Sequence, residues 1–258
     1  MQCDINDVAV HYVQRGEGRP VLVLHGAGVD HREAEACFDP ALAAHRSLRR
    51  IYPDLPGMGR TPASATLRSA DDVLDVLLGF IGEVVGQDPV LLVGHSVGAY
   101  YCHGLAARQP DRVAGLALVC PLLPGVRDVP EHRPVVAATE LGDDAFRDYF
   151  VVQTPAMLDR YQRYVAPAAG LADAGAMERI GERWVLTLPE GAAYSGPTLV
   201  VAGRRDSTVG YAAAVDLLDH YPNATLAVLD GGGHALPHEQ PELLAALLQA
   251  WLARDALV

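Results

Sequence analysis

The sequence predicts an α/β fold, a mostly parallel sheet with helices on both faces. Short apolar runs recur along the chain and stop at Gly, Pro or His-Gly. Stretches with apolar residues three and four apart lie between those runs. Of the 258 residues, 50% are hydrophobic and 20% charged, which is enough apolar surface to cover a sheet on two sides.

Taken in order, Val8–Val13 reads as a strand between the turn signals Asn6-Asp7 and Gly16-Glu17-Gly18. Pro20–Leu24 is a continuous apolar run ending at His25-Gly26, as expected of a strand covered on both faces. Arg50–Leu55 runs into a Pro/Gly loop, and Val90–Val93 stops at Gly94. Val113–Val119, Thr198–Ala202 and Thr225–Leu229 complete the strands. Helical patterns occupy Asp71–Val85, Val97–Gln109, Tyr211–Tyr221 and Pro241–Ala253. Asp71 and Asp72 suit the positive end of a helix, and Pro241 followed by Glu242 is an N-terminal signature. Between Leu122 and Pro189 the pattern is helix and loop without a clear strand. This stretch carries Phe146, Tyr149, Phe150, Tyr161, Tyr164 and Trp184. Lying between two strands, it is an insertion: residues 1–121 and 190–258 form the core and 122–189 the insertion.

Charge and composition exclude several functions. The net charge of −12 repels polyanions such as nucleic acid. All 20 cationic residues are Arg, and without Lys there is neither a P-loop nor a Lys Schiff base. No apolar stretch is long enough to span a bilayer, and Met1–Asp7 has neither a basic start nor an apolar run, so no membrane anchor or secretory signal is expected. Cys3, Cys37, Cys102 and Cys120 are far apart, as suits reduced thiols in a cytoplasmic protein.

The strongest chemical signal is Gly94-His95-Ser96-Val97-Gly98, directly after one strand and directly before a helix. A tight strand-to-helix turn lifts Ser96 above the C-terminal sheet edge and aims helix N–H groups at a developing oxyanion. An ordinary βα turn with Ser96 as an N-cap has the same letters. A Ser hydroxyl needs a base, and His234 follows the last strand through Gly231-Gly232-Gly233. The base needs an orienting acid. Asp206 follows its strand through Gly203-Arg204-Arg205, whereas Asp230 would have to fold back across the glycines. The N–H groups of Ala27, in His25-Gly26-Ala27-Gly28, and of Val97 are the candidate oxyanion donors. A dinucleotide fingerprint would need Gly where His31 stands, so no cofactor is expected. His234, His238 and Glu239 invite a metal reading, but Pro237 is expected to break any helix there, and no metal is assigned. Asp54 and Arg60 read as turn residues, and His103 as a packed residue.

These segments, together with Asp54-Leu55-Pro56-Gly57-Met58-Gly59-Arg60, resemble the α/β-hydrolase family in order and over nearly the whole chain. The likeness is to its single-domain esterase, lactonase and carbon–carbon hydrolase branch. It implies an eight-stranded sheet with an antiparallel second strand and a helical cap (lid) at 122–189. It also implies a Ser96/His234/Asp206 triad with Ala27 and Val97 as oxyanion donors. The expected activity is hydrolysis of a small ester or lactone, and the cap aromatics suggest an apolar or aromatic small molecule. A carbon–carbon hydrolase and a non-enzymatic small-ligand binder are the alternatives. Epoxide hydrolases and dehalogenases carry Asp where Ser96 stands.

Overall fold

In a computed structural model, which describes residues 1–138, 140–191 and 194–254, β3 (Arg19–Leu24) shows why its apolar run is unbroken. Side chains alternate across a strand. Val21 and Val23 therefore pack on one face of the sheet and Leu22 and Leu24 on the other, all fully buried. β5 (Val90–His95) repeats the division, with Leu91 and Val93 opposite Leu92.

The sheet has eight strands in the order β1-β2-β4-β3-β5-β6-β7-β8, the remaining strands being β1 (Gln2–Ile5), β2 (Val8–Arg15), β4 (Leu48–Pro53), β6 (Val113–Val119), β7 (Thr198–Gly203) and β8 (Ala224–Leu229). β2 is antiparallel to both its neighbours, and from β4 onward every pairing is parallel. One face carries α1 (His31–Leu42) and α10 (Pro241–Leu252), whose Phe38, Leu248 and Trp251 fill the core there. The other carries α2 (Ala70–Phe80), α3 (Val97–Arg108) and α8 (Ala212–His220). Ser69 caps α2 by accepting from the Asp72 N–H. A π-helical turn over Ile81–Val85 follows α2, so the expected Asp71–Val85 helix is present with its last turn widened.

β1 and α1 are absent from the sequence reading. β1 is a short edge strand with one buried residue, so it lacks a period-two apolar signal. It joins β2 through Asn6 and Asp7, both at positive φ (46° and 63°), a two-residue hairpin turn matched to strand twist.

Residues 122–189 hold short helices: α4 (Asp144–Tyr149), α5 (Pro155–Arg160), α6 (Ala166–Ala169) and α7 (Ala174–Gly181). A π-helical turn at Tyr161–Val165 links α5 to α6. The only strand-like contact described there is an isolated bridge between Val136 and Val152. Phe146, Phe150 and Tyr161 cluster with Ala235 as a small third core. Pro237 does not prevent a helix: α9 (Leu236–Glu239) takes it in its first turn, where a missing N–H breaks no helical bond. Thr139, Ala192, Ala193 and residues 255–258 of the expected ranges lie outside the described residues. Among the described residues no helix is long and apolar enough to cross a membrane.

Candidate active site

Ser96 stands between β5 and α3 at φ 55° and ψ −120°, a left-handed conformation that a non-glycine residue adopts only under constraint. The constraint is visible in its neighbours. A Cβ on Gly98 would lie 2.4 Å from the Leu24 carbonyl oxygen, and one on Gly94 would lie 2.5 Å from the Gly98 backbone. Both glycines therefore allow backbone approaches that any side chain would block. The Ser96 N–H donates to the Val119 carbonyl (3.0 Å), and its carbonyl accepts from the Tyr100 and Leu122 N–H groups.

The structure brings together three residues distant in sequence. Nδ1 of His234 lies 2.8 Å from Oδ2 of Asp206, and Nε2 lies 2.9 Å from Oγ of Ser96. A carboxylate only accepts, so Nδ1 carries the proton and Nε2 is free to accept from the Ser96 hydroxyl. Asp206 is fully buried, and its Oδ1 accepts from the Thr208 and Val209 N–H groups, both at 2.9 Å. Burial pushes the Asp206 carboxyl upward. The electrostatic pull of His234, its hydrogen bond and those two backbone donors outweigh that push and hold the group below the usual carboxylate range. Asp230, the alternative acid, lies at the surface 3.5 Å from Arg204.

The backbone of His234 is held from two sides. Its carbonyl accepts from Nε2 of His95 (2.9 Å), and the preceding Gly233 N–H donates to Glu239 Oε2 (2.7 Å). Glu239 also accepts from the N–H groups of Val151 (2.6 Å) and Val152 (3.2 Å), so one carboxylate fastens the His234 loop to the 122–189 segment. Burial raises the Glu239 carboxyl despite those donors.

Ala27 and Val97 line one cavity of about 160 Å³, with Leu55, Met58, Met177 and Trp184 among its other walls. Neither of their N–H groups donates to a protein acceptor among the described residues. His25 sets the loop. Its Nδ1 donates to the Gly26 carbonyl (2.7 Å), and its Nε2 accepts from the Leu55 N–H (2.9 Å). Asp54 sets the next loop, accepting from the His31 N–H, Nδ1 of His31, Nδ1 of His11 and the Arg60 N–H at 2.7–2.9 Å. Burial opposes its ionisation, but these donors hold it far below the usual range. His103 is half-buried against Tyr221, and that burial pushes its pKa down to about 4.

The residues considered for a metal point in separate directions. His234 faces Ser96 and Asp206, while Glu239 faces backbone N–H groups. His238 instead sits with Glu33 and Cys37 in a buried group whose ligand atoms lie within 4.8 Å of one another. A cation is already present there. Nε of Arg160 donates to Nδ1 of His238 (3.0 Å), whose Nε2 lies 3.3 Å from Glu33 Oε1. The arrangement links Arg160, His238 and Glu33 in series and occupies both ring nitrogens of His238. His95, Glu33 and Arg160 were not singled out from sequence, and Glu239 was weighed there only as a metal ligand beside His234 and His238. His95 lay inside the Gly94–Gly98 motif, but the partners of the others come from remote segments.

With fold and geometry in hand, comparison with known proteins places the chain. Residues 21–247 match the family model described as the alpha/beta hydrolase family, and the chain belongs to that family of hydrolytic enzymes. It is similar to the 2-hydroxymuconate semialdehyde hydrolase of a Pseudomonas species, 29% identical over 92% of this chain and 88% of that protein. It is also similar to the (E)-2-((N-methylformamido)methylene)succinate hydrolase of Acinetobacter baylyi, 24% identical over 96% of this chain and 95% of that one. Among solved structures it resembles an alpha/beta superfamily hydrolase from Oenococcus oeni, with TM-score 0.88 and 25% identity over 98% of both chains.

Proposed function

We propose that the protein is a serine hydrolase acting on a small ester or lactone, with Ser96 as nucleophile, His234 as general base and acid, and Asp206 as the orienting acid. The observation that carries this reading is the 2.9 Å contact between Ser96 Oγ and His234 Nε2, with Nδ1 of the same ring on Asp206 and the nucleophile held at positive φ. In the first step Nε2 takes the hydroxyl proton as Oγ attacks the carbonyl carbon. Charge then collects on the substrate oxygen, where the Ala27 and Val97 N–H groups donate to it. One such donor is worth on the order of 100- to 1000-fold in turnover. The leaving group departs with the proton from His234. Water, deprotonated by the same nitrogen, then releases the acyl group and restores Ser96. Asp206 keeps the proton on Nδ1 throughout and stabilises the transient imidazolium.

In this reading residues 122–189 are a cap over the site. The contacts of Trp184, Met177 and Ile180 with the cavity support it, as does the Glu239 link to Val151. The aromatics of the segment divide in role: Phe146, Phe150 and Tyr161 pack the segment, whereas Trp184 faces substrate space. Tyr149 stacks edge-on at 6.4 Å from the His234 ring.

A second reading, hydrolysis of a carbon–carbon bond with the same residues, is favoured by the relatives whose names are those of dienoate and semialdehyde hydrolases. One experiment tests both. A fluorophosphonate probe should label wild-type protein at Ser96 and leave Ser96→Ala unlabelled. Turnover of p-nitrophenyl esters without turnover of β-diketones or dienoates then selects the ester reading, and the reverse selects the other. Full activity in Ser96→Ala would refute both.

A further inference from the structure

The cavity beside Ala27 and Val97 has an unusual wall. Its lining residues are Ala, Leu, Pro, Met, Val, Ile, Gly, Tyr and Trp, with no charged side chain among them. The polar group that stands out is the hydroxyl of Tyr101. Tyr101 is 5% exposed and lines the cavity, and among the described residues its hydroxyl makes no hydrogen bond. The neighbouring Tyr100 differs, because its hydroxyl accepts from the Leu186 N–H at 2.7 Å. Tyr194 differs in another way, since its unpaired hydroxyl is sealed from solvent, whereas that of Tyr101 is not.

Position explains the direction. Val97 and Tyr101 are four residues apart on α3 and share a helical face. Helical side chains lean toward the N-terminus of their helix, so the Tyr101 ring leans toward Val97 and Ser96. Burial raises its phenol pKa, so at neutral pH the group is an intact hydroxyl able to donate or accept. An apolar ligand that displaced water from the cavity would leave this hydroxyl without a partner, which is unfavourable.

Resting on the serine-nucleophile reading above, we propose that this cavity is the acyl pocket and that the Tyr101 hydroxyl reads one uncharged oxygen of the acyl group. The volume sets the size: an apolar protein cavity of about 150 Å³ accommodates benzene, so about 160 Å³ takes an acyl chain or ring of roughly six heavy atoms. The absence of a cation from the wall excludes a carboxylate there, because a buried carboxylate without a partner is strongly disfavoured. The substrate class is therefore a neutral keto- or ether-bearing acyl ester or lactone, and not a dicarboxylate whose second carboxylate enters this pocket.

The test compares wild type with Tyr101→Phe on p-nitrophenyl hexanoate, on its analogues with an ether oxygen at successive chain positions, and on the p-nitrophenyl monoester of adipic acid. The wild-type to Tyr101→Phe ratio of kcat/KM cancels the intrinsic reactivity of each ester. The ratio for the best ether-bearing ester should exceed that for hexanoate by about 10-fold, the worth of one neutral hydrogen bond. The adipate monoester should be slower than hexanoate by about 100-fold or more in wild type. The melting temperature of Tyr101→Phe should not fall, because the lost hydroxyl bonds nothing among the described residues. Equal ratios for every ester, or an adipate monoester as fast as hexanoate, would overturn the pocket assignment alone, provided fluorophosphonate still labels Ser96. If neither label nor ester turnover appears, the serine-nucleophile reading falls and takes the pocket assignment with it.

Discussion

Replacing Asp206 with Asn preserves the shape of the side chain and reverses one of its hydrogen bonds. In the wild type Oδ1 accepts from two backbone N–H groups, of Thr208 and Val209, and Oδ2 accepts from Nδ1 of His234. Those two fixed donors dictate the orientation of the amide. Its oxygen must take the Oδ1 place, because an NH2 there would face two N–H groups at 2.9 Å. The NH2 then points at Nδ1 of His234, which must become an acceptor, and the imidazole proton moves to Nε2. A protonated Nε2 cannot take the Ser96 proton. In a hydrolytic triad this tautomer change lowers kcat by about 10,000-fold, equivalent to roughly 5 kcal/mol of barrier. The assay is ester turnover by Asp206→Asn against wild type, with thermal unfolding as the check on folding. KM should change little, since Asp206 is fully buried and does not line the cavity. A folded variant that loses less than about 10-fold in kcat would refute the tautomer argument and with it the assignment of Asp206.

Gly98→Ala should give an unstable or inactive protein, since its Cβ would sit 2.4 Å from the Leu24 carbonyl; overpacking of this kind costs about 1–3 kcal/mol or more, read by thermal unfolding. Arg160→Met should lower stability by about 1–3 kcal/mol, because it leaves the buried Nδ1 of His238 without its donor, a loss read by thermal unfolding. Stability should fall between pH 7 and pH 4. Burial pushes His95 and His103 down to about 4, so the unfolded chain binds protons first, and the stability present above the ordinary His pKa of about 6.5 is lost as pH falls through the folded values. Each fully titrated site contributes on the order of 3 kcal/mol. Below the ordinary carboxylate range Asp54 and Asp206, both held down in the fold, add to the loss in the same direction. A melting temperature that stays flat from pH 7 to 4.5 would contradict the buried neutral imidazoles.

Much of the architecture was legible because its signals are local. The runs at Pro20–Leu24 and Val90–Val93 could be read as strands covered on two sides, since alternation is hidden where both faces are apolar. Gly94 is required by the turn itself, where its Cβ would meet the Gly98 backbone, whereas Gly98 is required for a reason that reaches beyond the turn, namely the close passage of the β3 end at Leu24. β1 escaped notice because an edge strand with one buried residue has no period to detect. Pro237 was misread because a proline stops a helix in its interior and suits its first turn, and a string of letters does not say which applies.

The amino-acid sequence by itself determined the class of fold, the order of β2 to β8 and the residues Ser96, Asp206 and His234 at strand ends. Periodicity, turn chemistry and motif spacing are properties of neighbouring residues. Only the tertiary structure decided that His95 and Glu239 hold the His234 loop, that Arg160 donates to His238 beside Glu33, and that Tyr101 lines the cavity with no partner for its hydroxyl among the described residues. Each of these is a contact between chain segments far apart or an absence of one. Such pairings depend on how folded elements stack, because a hydrogen bond depends on distance in space and leaves no trace in local sequence.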